Sequence, residues 1–225
     1  VSLVGSLGFQ GKVCVCMDTR PSSPSLKSQV VSALLKMGNS VADLGIGPTP
    51  YLSYYTKTHN CLGIMLTASH NPEEDNGIKM FHNGLEAWGL SREQPKPPSN
   101  LVRNASCFRD TYIKSILKLI DIATIRGAQP HVLIDAGNGA SGGFTPLALR
   151  MAGARITTVD AEQSNPFSRP SEPTEETLLH IPSLVEGISA DFGIAHDADG
   201  DRCRVATKDG VMGQDVQLLN MALHM

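Results

Sequence analysis

A rhythm in the opening third of the chain constrains its fold more than any other feature. Three short apolar runs, Gly11–Met17, Ser40–Ile46 and Cys61–Leu66, each stop abruptly at a polar or proline-containing loop. Apolar runs of this length, bounded by turn residues, read as strands. The segments between them have helical character. Pro21-Ser22-Ser23-Pro24 opens the first helix, with Ser23 as its expected cap and Pro24 in its first turn. Leu26, Val30, Leu34 and Met37 form its apolar stripe, and Gly38 ends it. Gly47-Pro48-Thr49-Pro50 begins a second helix that runs through about Lys57. Strand, helix, strand, helix, strand is the alternation of a doubly wound α/β unit. Such sheets place their chemistry on loops at the carboxyl ends of the strands.

Two strand-end loops carry residues with chemical potential. The first is Leu66-Thr67-Ala68-Ser69-His70-Asn71-Pro72, followed by a polar turn to Gly77 and a strand over Ile78–Phe81. Ser69 is therefore a candidate nucleophile beside His70, although a loop serine taken without context is more often a turn or cap residue. The second follows the strand Phe192–Ala195 and reads His196-Asp197-Ala198-Asp199-Gly200-Asp201-Arg202. In an extended or tightly looped backbone, alternate residues share one side, and Gly200 permits a sharp bend. Three carboxylates at one point repel unless a cation sits among them, and hard oxygen ligands suit Mg²⁺. A solvated acidic turn is the bland alternative, disfavoured because such a turn rarely follows a buried strand with so strict an alternation. The helix-loop-helix calcium site is excluded by the flanking strands, the early glycine and the lack of a closing glutamate.

The motifs T-A-S-H-N-P, N-G-I-K and D-A-D-G-D-R together resemble those of the α-D-phosphohexomutase superfamily, which includes phosphomannomutase/phosphoglucomutase and phosphoglucosamine mutase. Asp18-Thr19-Arg20, Gly47-Pro48-Thr49-Pro50, Asp135-Ala136-Gly137-Asn138-Gly139-Ala140 and Glu172-Pro173-Thr174-Glu175 add to the likeness in family order. The metal loop departs from the family's usual D-G-D-A/G-D-R at its alanine and glycine positions. Cys16-Met17 stands where members usually carry Gly-Arg, so one positive charge is absent. The resemblance implies two consecutive three-layer α/β/α domains with mixed, mainly parallel sheets. It places a phosphoserine-bearing domain at residues 1–103 and a metal-binding domain at 104–225.

The resemblance also implies the chemistry. Ser69 carries a phosphoryl group, and Mg²⁺ held by Asp197, Asp199 and Asp201 touches that group, so that Ser69 counts among the metal's contacts. Lys79 points back to the phosphoserine and assists proton or phosphoryl transfer, and His70 and Arg20 supply charge or move protons. An exposed strand lysine and an Arg20–Asp18 ion pair are the structural alternatives. Arg202 orients the metal loop, reaches a phosphate, or forms a structural salt bridge. The substrates implied are hexose 1-phosphate, hexose 6-phosphate and hexose 1,6-bisphosphate. Phosphomannomutase/phosphoglucomutase is the first expectation and phosphoglucosamine mutase the alternative. A non-catalytic phosphate- or metal-binding relic and a metal-dependent phosphatase are the competing classes.

The rest of the chain fits this outline. A formal net charge of −3 disfavours bulk nucleic acid as a partner, and no apolar run is long enough to span a membrane. Five cysteines without a scaffold pattern suit a reducing, cytoplasmic compartment, with Cys14 and Cys16 as core or surface thiols. Arg92–Asn100 reads as a Pro-rich surface loop, and Asp110–Asp121 as an amphipathic helix carrying Ile113, Ile116, Leu117 and Ile120 on one face. Strands are expected at His131–Ile134, Arg155–Asp160 and Cys203–Thr207. Helices are expected at Thr145–Met151, at Glu176–Ile188 with a break near Pro182, and from Gln214 to His224. The Gly-rich loop Asp135–Gly143 lacks a Walker lysine and reads as a tight structural turn in preference to an anion cradle. Glu162–Thr174, with its Pro-Ser-Glu-Pro run, reads as a connecting loop. Family members have four domains, and the motifs of only two occur. The chain is thus expected to be truncated at both ends, with a separate C-terminal half as a possible partner.

Overall fold

The computed structural model describes residues 11–87, 97–164 and 166–223. The chain divides into two units, Val1–Ala68 with Pro72–Tyr112, and Ser69–Asn71 with Ile113–Met225. Within the Pro-rich run Arg92–Asn100, residues 92–96 lie outside the described residues, as does His224.

The first unit is built on a six-stranded mixed sheet. Its strands are β1 (Lys12–Met17), β2 (Ser40–Ile46), β3 (Leu62–Leu66), β4 (Ile78–His82), β5 (Leu85–Glu86) and β6 (Val102–Asn104), in the spatial order β5-β4-β3-β1-β2-β6. β1 runs parallel to both β2 and β3, whereas β4 folds back antiparallel on β3. Helices α1 (Ser23–Lys36) and α2 (Thr49–His59) make the parallel crossovers. Period-two alternation sorts β1 onto two faces. Val13, Val15 and Met17 pack with Val30 and Leu34 of α1. Cys14 and Cys16 belong to the alternate set and are fully buried. Gly63 of β3 is a glycine because α2 lies close: a Cβ there would stand 2.5 Å from Thr56 Cγ2.

Ser23 does not cap α1. The N-cap position is Ser22, without a side-chain cap bond, and Ser23 is already inside the helix with its hydroxyl turned to Asp18. β6 joins the first sheet parallel to β2. Phe108 and Tyr112 also pack with Tyr51 and Tyr54 of α2. These contacts hold the chain with the first unit through Tyr112, beyond the expected division after residue 103.

The second unit carries a five-stranded mixed sheet of β7 (His131–Asp135), β8 (Arg155–Val159), β9 (Phe192–His196), β10 (Cys203–Thr207) and β11 (Gly210–Val211), ordered β11-β10-β9-β7-β8. The β7 strand is parallel to both neighbours, and β10 returns antiparallel to β9. Its helices are α5 (Thr145–Ala152), α6 (Ile181–Gly187) and α7 (Gln214–Leu223), preceded by α4 (Ile122–Ala128) and by the part of α3 (Phe108–Leu117) from Ile113 onward. Leu133, Leu178, Ile181, Val185, Ala195 and Ala206 form one side of the core, and Val132, Ile134 and Ala154 the other. The expected helix over Asp110–Asp121 stops short, and a second helix follows it from Ile122. The first ends at Leu117, Ile120 is exposed, and Asp121 caps the second by accepting from Thr124 N. An aspartate that satisfies a free N–H of a new helix is a start signal hidden inside an otherwise continuous apolar pattern. The break near Pro182 takes the form of a short 3₁₀ turn at Glu176–Leu178 before α6.

Candidate active site

Each unit carries its own strand-end loops. In the first, β1 delivers Asp18 and Arg20, both buried. The Asp18 carboxylate accepts from Arg20 N (3.1 Å), Arg20 Nε (3.0 Å) and Ser23 Oγ (2.9 Å). Arg20 Nη1 donates to the carbonyls of Pro72 and Asp75, so the guanidinium braces the turn that follows the serine loop. That turn is also held by Asn76, which donates to the hydroxyls of Ser22 and Ser23, and by Thr67 N, which donates to Gly77 O. Burial pushes the Asp18 carboxyl up, outweighing the hydrogen bonds from Thr67, Arg20 and Ser23 that pull it down. Lys79 is half-buried on β4, in register with Met65 of β3.

In the second unit, the Ser69 backbone is left-handed at φ +54°, an uncommon state for a residue with a side chain. Its carbonyl accepts from Ser171 Oγ at 2.9 Å. Ser171 Oγ in turn accepts from Ala198 N at 3.1 Å, inside the acidic loop. The His70 imidazole is exposed, with Nδ1 3.7 Å from Glu172.

The acidic loop is compact. One carboxylate oxygen from each of Asp197, Asp199 and Asp201 lies within 4.8 Å of the others. Asp197 and Asp199 are buried and Asp201 is exposed. Burial, together with the negative charges of Asp199 and Asp201, pushes Asp197 up to about 8, against the pull of Arg202. Gly200 supplies the bend at φ +64°, as its position suggests. Arg202 closes the loop on itself. Its backbone N and Nε donate to the Asp197 carboxylate at 3.1 and 3.0 Å, and its Nη1 reaches both oxygens of Glu172 at 2.6 and 2.8 Å. Three hard oxygen donors with their charges crowded together are the donor set of Mg²⁺ or a similar cation. Among the described residues, this is the one cluster of three such side chains that could surround an ion.

The Gly-rich loop after β7 buttresses this acidic loop. Ala140 N donates to Ala198 O at 2.8 Å, and a Cβ on Gly139 would stand 2.9 Å from the carbonyl oxygens of both Ala136 and Ala198. Arg169 ties the two strand ends together, donating to Asp135 Oδ2 (2.9 Å) and His196 O (2.7 Å). His196 is half-buried between Thr145 Oγ1 and Arg202 O, and desolvation lowers its pKa, favouring the neutral form.

Sequence reasoning named the three aspartates, Ser69, His70 and Arg202, all of which fall in this unit. It passed over Ser171 as part of a connecting loop and used Glu172 only as a landmark. Prolines at 170 and 173, which stiffen the backbone around both residues, were the available signal.

Fold and loops thus define a two-unit α/β/α protein with a serine loop and a strand-end carboxylate cluster. Two family models match the chain: phosphoglucomutase/phosphomannomutase alpha/beta/alpha domain I over residues 2–90, and domain II of the same family over residues 110–210. The chain belongs to this family, part of the α-D-phosphohexomutase superfamily. It is 36% identical over 221 residues to a "Probable phosphoglucosamine mutase" of Pyrococcus horikoshii, covering 92% of this chain and 48% of that protein. A "Phosphoglucomutase/phosphomannomutase" of Thermococcus kodakarensis is 35% identical over 216 residues, covering 88% and 47%. The crystal structure of a phosphoglucomutase/phosphomannomutase family protein from Burkholderia thailandensis superposes with a TM-score of 0.75 at 25% identity, covering 98% of this chain and 52% of that one. The chain spans about half the length of the curated relatives it matches.

Proposed function

We propose that this chain forms the phosphate-donor half of a phosphohexomutase, an intramolecular phosphotransferase that interconverts hexose 1-phosphate and hexose 6-phosphate. The observation that carries the reading is the convergence of Asp197, Asp199 and Asp201 in the unit that also holds the Ser69 loop. Ser69 Oγ carries the phosphoryl group, gives it to a hydroxyl of the bound sugar phosphate, and takes back the other phosphoryl group from the resulting bisphosphate. Asp197, Asp199, Asp201 and the oxygen on Ser69 would hold Mg²⁺, which when bound neutralises charge on the group in transfer. Arg202 keeps the Asp197 carboxylate oriented. Arg20 acts by bracing the turn at Pro72 and Asp75 and fixes the exit of the serine loop. His70 and Lys79 supply positive charge and exchange protons with the sugar hydroxyl or the serine oxygen. The free thiols of all five cysteines suit a reducing cytoplasm. Phosphomannomutase/phosphoglucomutase is the first reading of the sugar. The Pyrococcus horikoshii relative's name favours glucosamine phosphate as the second, and a panel of the two substrates separates them.

Intact-mass measurement with peptide mapping tests the donor site. Incubation with glucose 1,6-bisphosphate and Mg²⁺ is expected to add one phosphate to the Ser69 peptide. Ser69→Ala should take up none, and EDTA should prevent uptake in the wild type. Absence of phosphate on Ser69 with Mg²⁺ present would remove this reading.

A further inference from the structure

We propose that the dipeptide Ser171-Glu172 is a positioning clamp that couples the serine loop to the carboxylate loop. The inference rests on the function proposed above and adds two residues to its machinery.

Each residue of the pair addresses the same two loops. Ser171 Oγ contacts Ser69 O and Ala198 N. Glu172 lies 3.7 Å from His70 Nδ1 and receives Nη1 of Arg202. The polarity of the Ser171 bridge is fixed by chemistry. Ala198 N–H can only donate, so it uses a lone pair of the hydroxyl. The carbonyl of Ser69 can only accept, so it receives the hydroxyl's single proton. Hydrogen bonds in such a chain polarise one another. Ser171 is buried, and bulk water cannot readily replace either bond. The Ala198 peptide is gripped from its other end by Ala140 N. It lies between two of the clustered aspartates and has little freedom of its own. Movement of the carboxylate loop as a cation binds is therefore passed to the Ser69 carbonyl, whose left-handed residue needs outside support to stay in place.

The test uses this chain with Mg²⁺ and glucose 1,6-bisphosphate. Ser171→Ala, Ser171→Thr and Glu172→Gln are first compared with wild type by thermal melt. Ser171→Ala is expected to slow phosphate uptake at Ser69 by about ten- to a hundredfold per folded molecule, the usual effect of losing a residue that orients metal ligands. Ser171→Thr, which keeps the hydroxyl, should recover most of that loss, and Glu172→Gln should lower the rate less than Ser171→Ala. Hydrogen exchange supplies a readout independent of the reaction. In wild type, Mg²⁺ should slow exchange in both the 197–202 and the 69–71 segments; in Ser171→Ala it should slow only the first. An unchanged rate in Ser171→Ala, equal loss in the alanine and threonine variants, or protection of 69–71 by Mg²⁺ that survives in Ser171→Ala would overturn the clamp. So would Mg²⁺ protection confined to 197–202 in the wild type. Failure of wild type to take up phosphate, with both segments still protected by Mg²⁺, would overturn the mutase reading and leave the clamp standing.

Discussion

Asp18 is a carboxylate in a dry place, with an arginine, a serine hydroxyl and a backbone amide pointed at it. Its folded pKa is raised by burial. From about pH 4 upward the unfolded chain has already lost this proton while the folded chain still holds it. Unfolding then releases a proton, so the contribution of Asp18 to stability falls as pH rises from its ordinary value through its raised folded value. Urea unfolding across that range is expected to show a negative slope of stability against pH from this site, and the slope should flatten in Asp18→Asn. An unchanged slope in the variant would place the effect elsewhere. Arg20 was legible from the sequence as a charge at a strand end, with an Asp18 ion pair as its structural alternative. Its reach to Pro72 and Asp75 was not, because an arginine side chain in sequence carries no direction.

At the scale of elements, strand-end loops support one another. The turn after β7 was read as structural from its glycines, yet its partner could not be named. That partner is the acidic loop after β9, which β7 brings alongside through parallel pairing. Gly139→Ala should therefore act on both stability and the metal site. A Cβ at 2.9 Å from two carbonyl oxygens cannot fit without backbone movement. We expect a loss of about 1–3 kcal/mol, typical of overpacking, together with weaker Mg²⁺ binding in calorimetry. A drop in stability with Mg²⁺ affinity intact would show that the acidic loop does not depend on this buttress. The second helix, α4, was missed because Ile120 continues the apolar spacing of Ile113, Ile116 and Leu117 past the true end of α3. Period alone does not register that Asp121 has turned to capping.

For the molecule as a whole, the matched span of about half the relatives' length bears on what these residues can do alone. Positioning supplies much of the rate in phosphoryl transfer. The 225-residue chain is expected to exchange phosphate at Ser69 far faster than it interconverts hexose 1-phosphate and hexose 6-phosphate. Phosphorus NMR on both reactions checks this, and interconversion as fast as phosphate exchange would show that the described loops suffice for the full cycle. Among the described residues no helix is long and apolar enough to cross a membrane.

The sequence by itself determined the alternation of strands and helices, the location of the two chemical loops at strand ends, and the spacing that lets three carboxylates converge. These features are local: a period of two or 3.6, a glycine at a bend, a proline at a helix start. The tertiary structure alone decided which groups meet. Ser171 and Ser69 are separated by 102 residues, and Ser171 lies in a stretch with no periodicity to mark it. Its role comes from one hydroxyl that can accept from one loop and donate to another, and only the packed fold brings the two within reach.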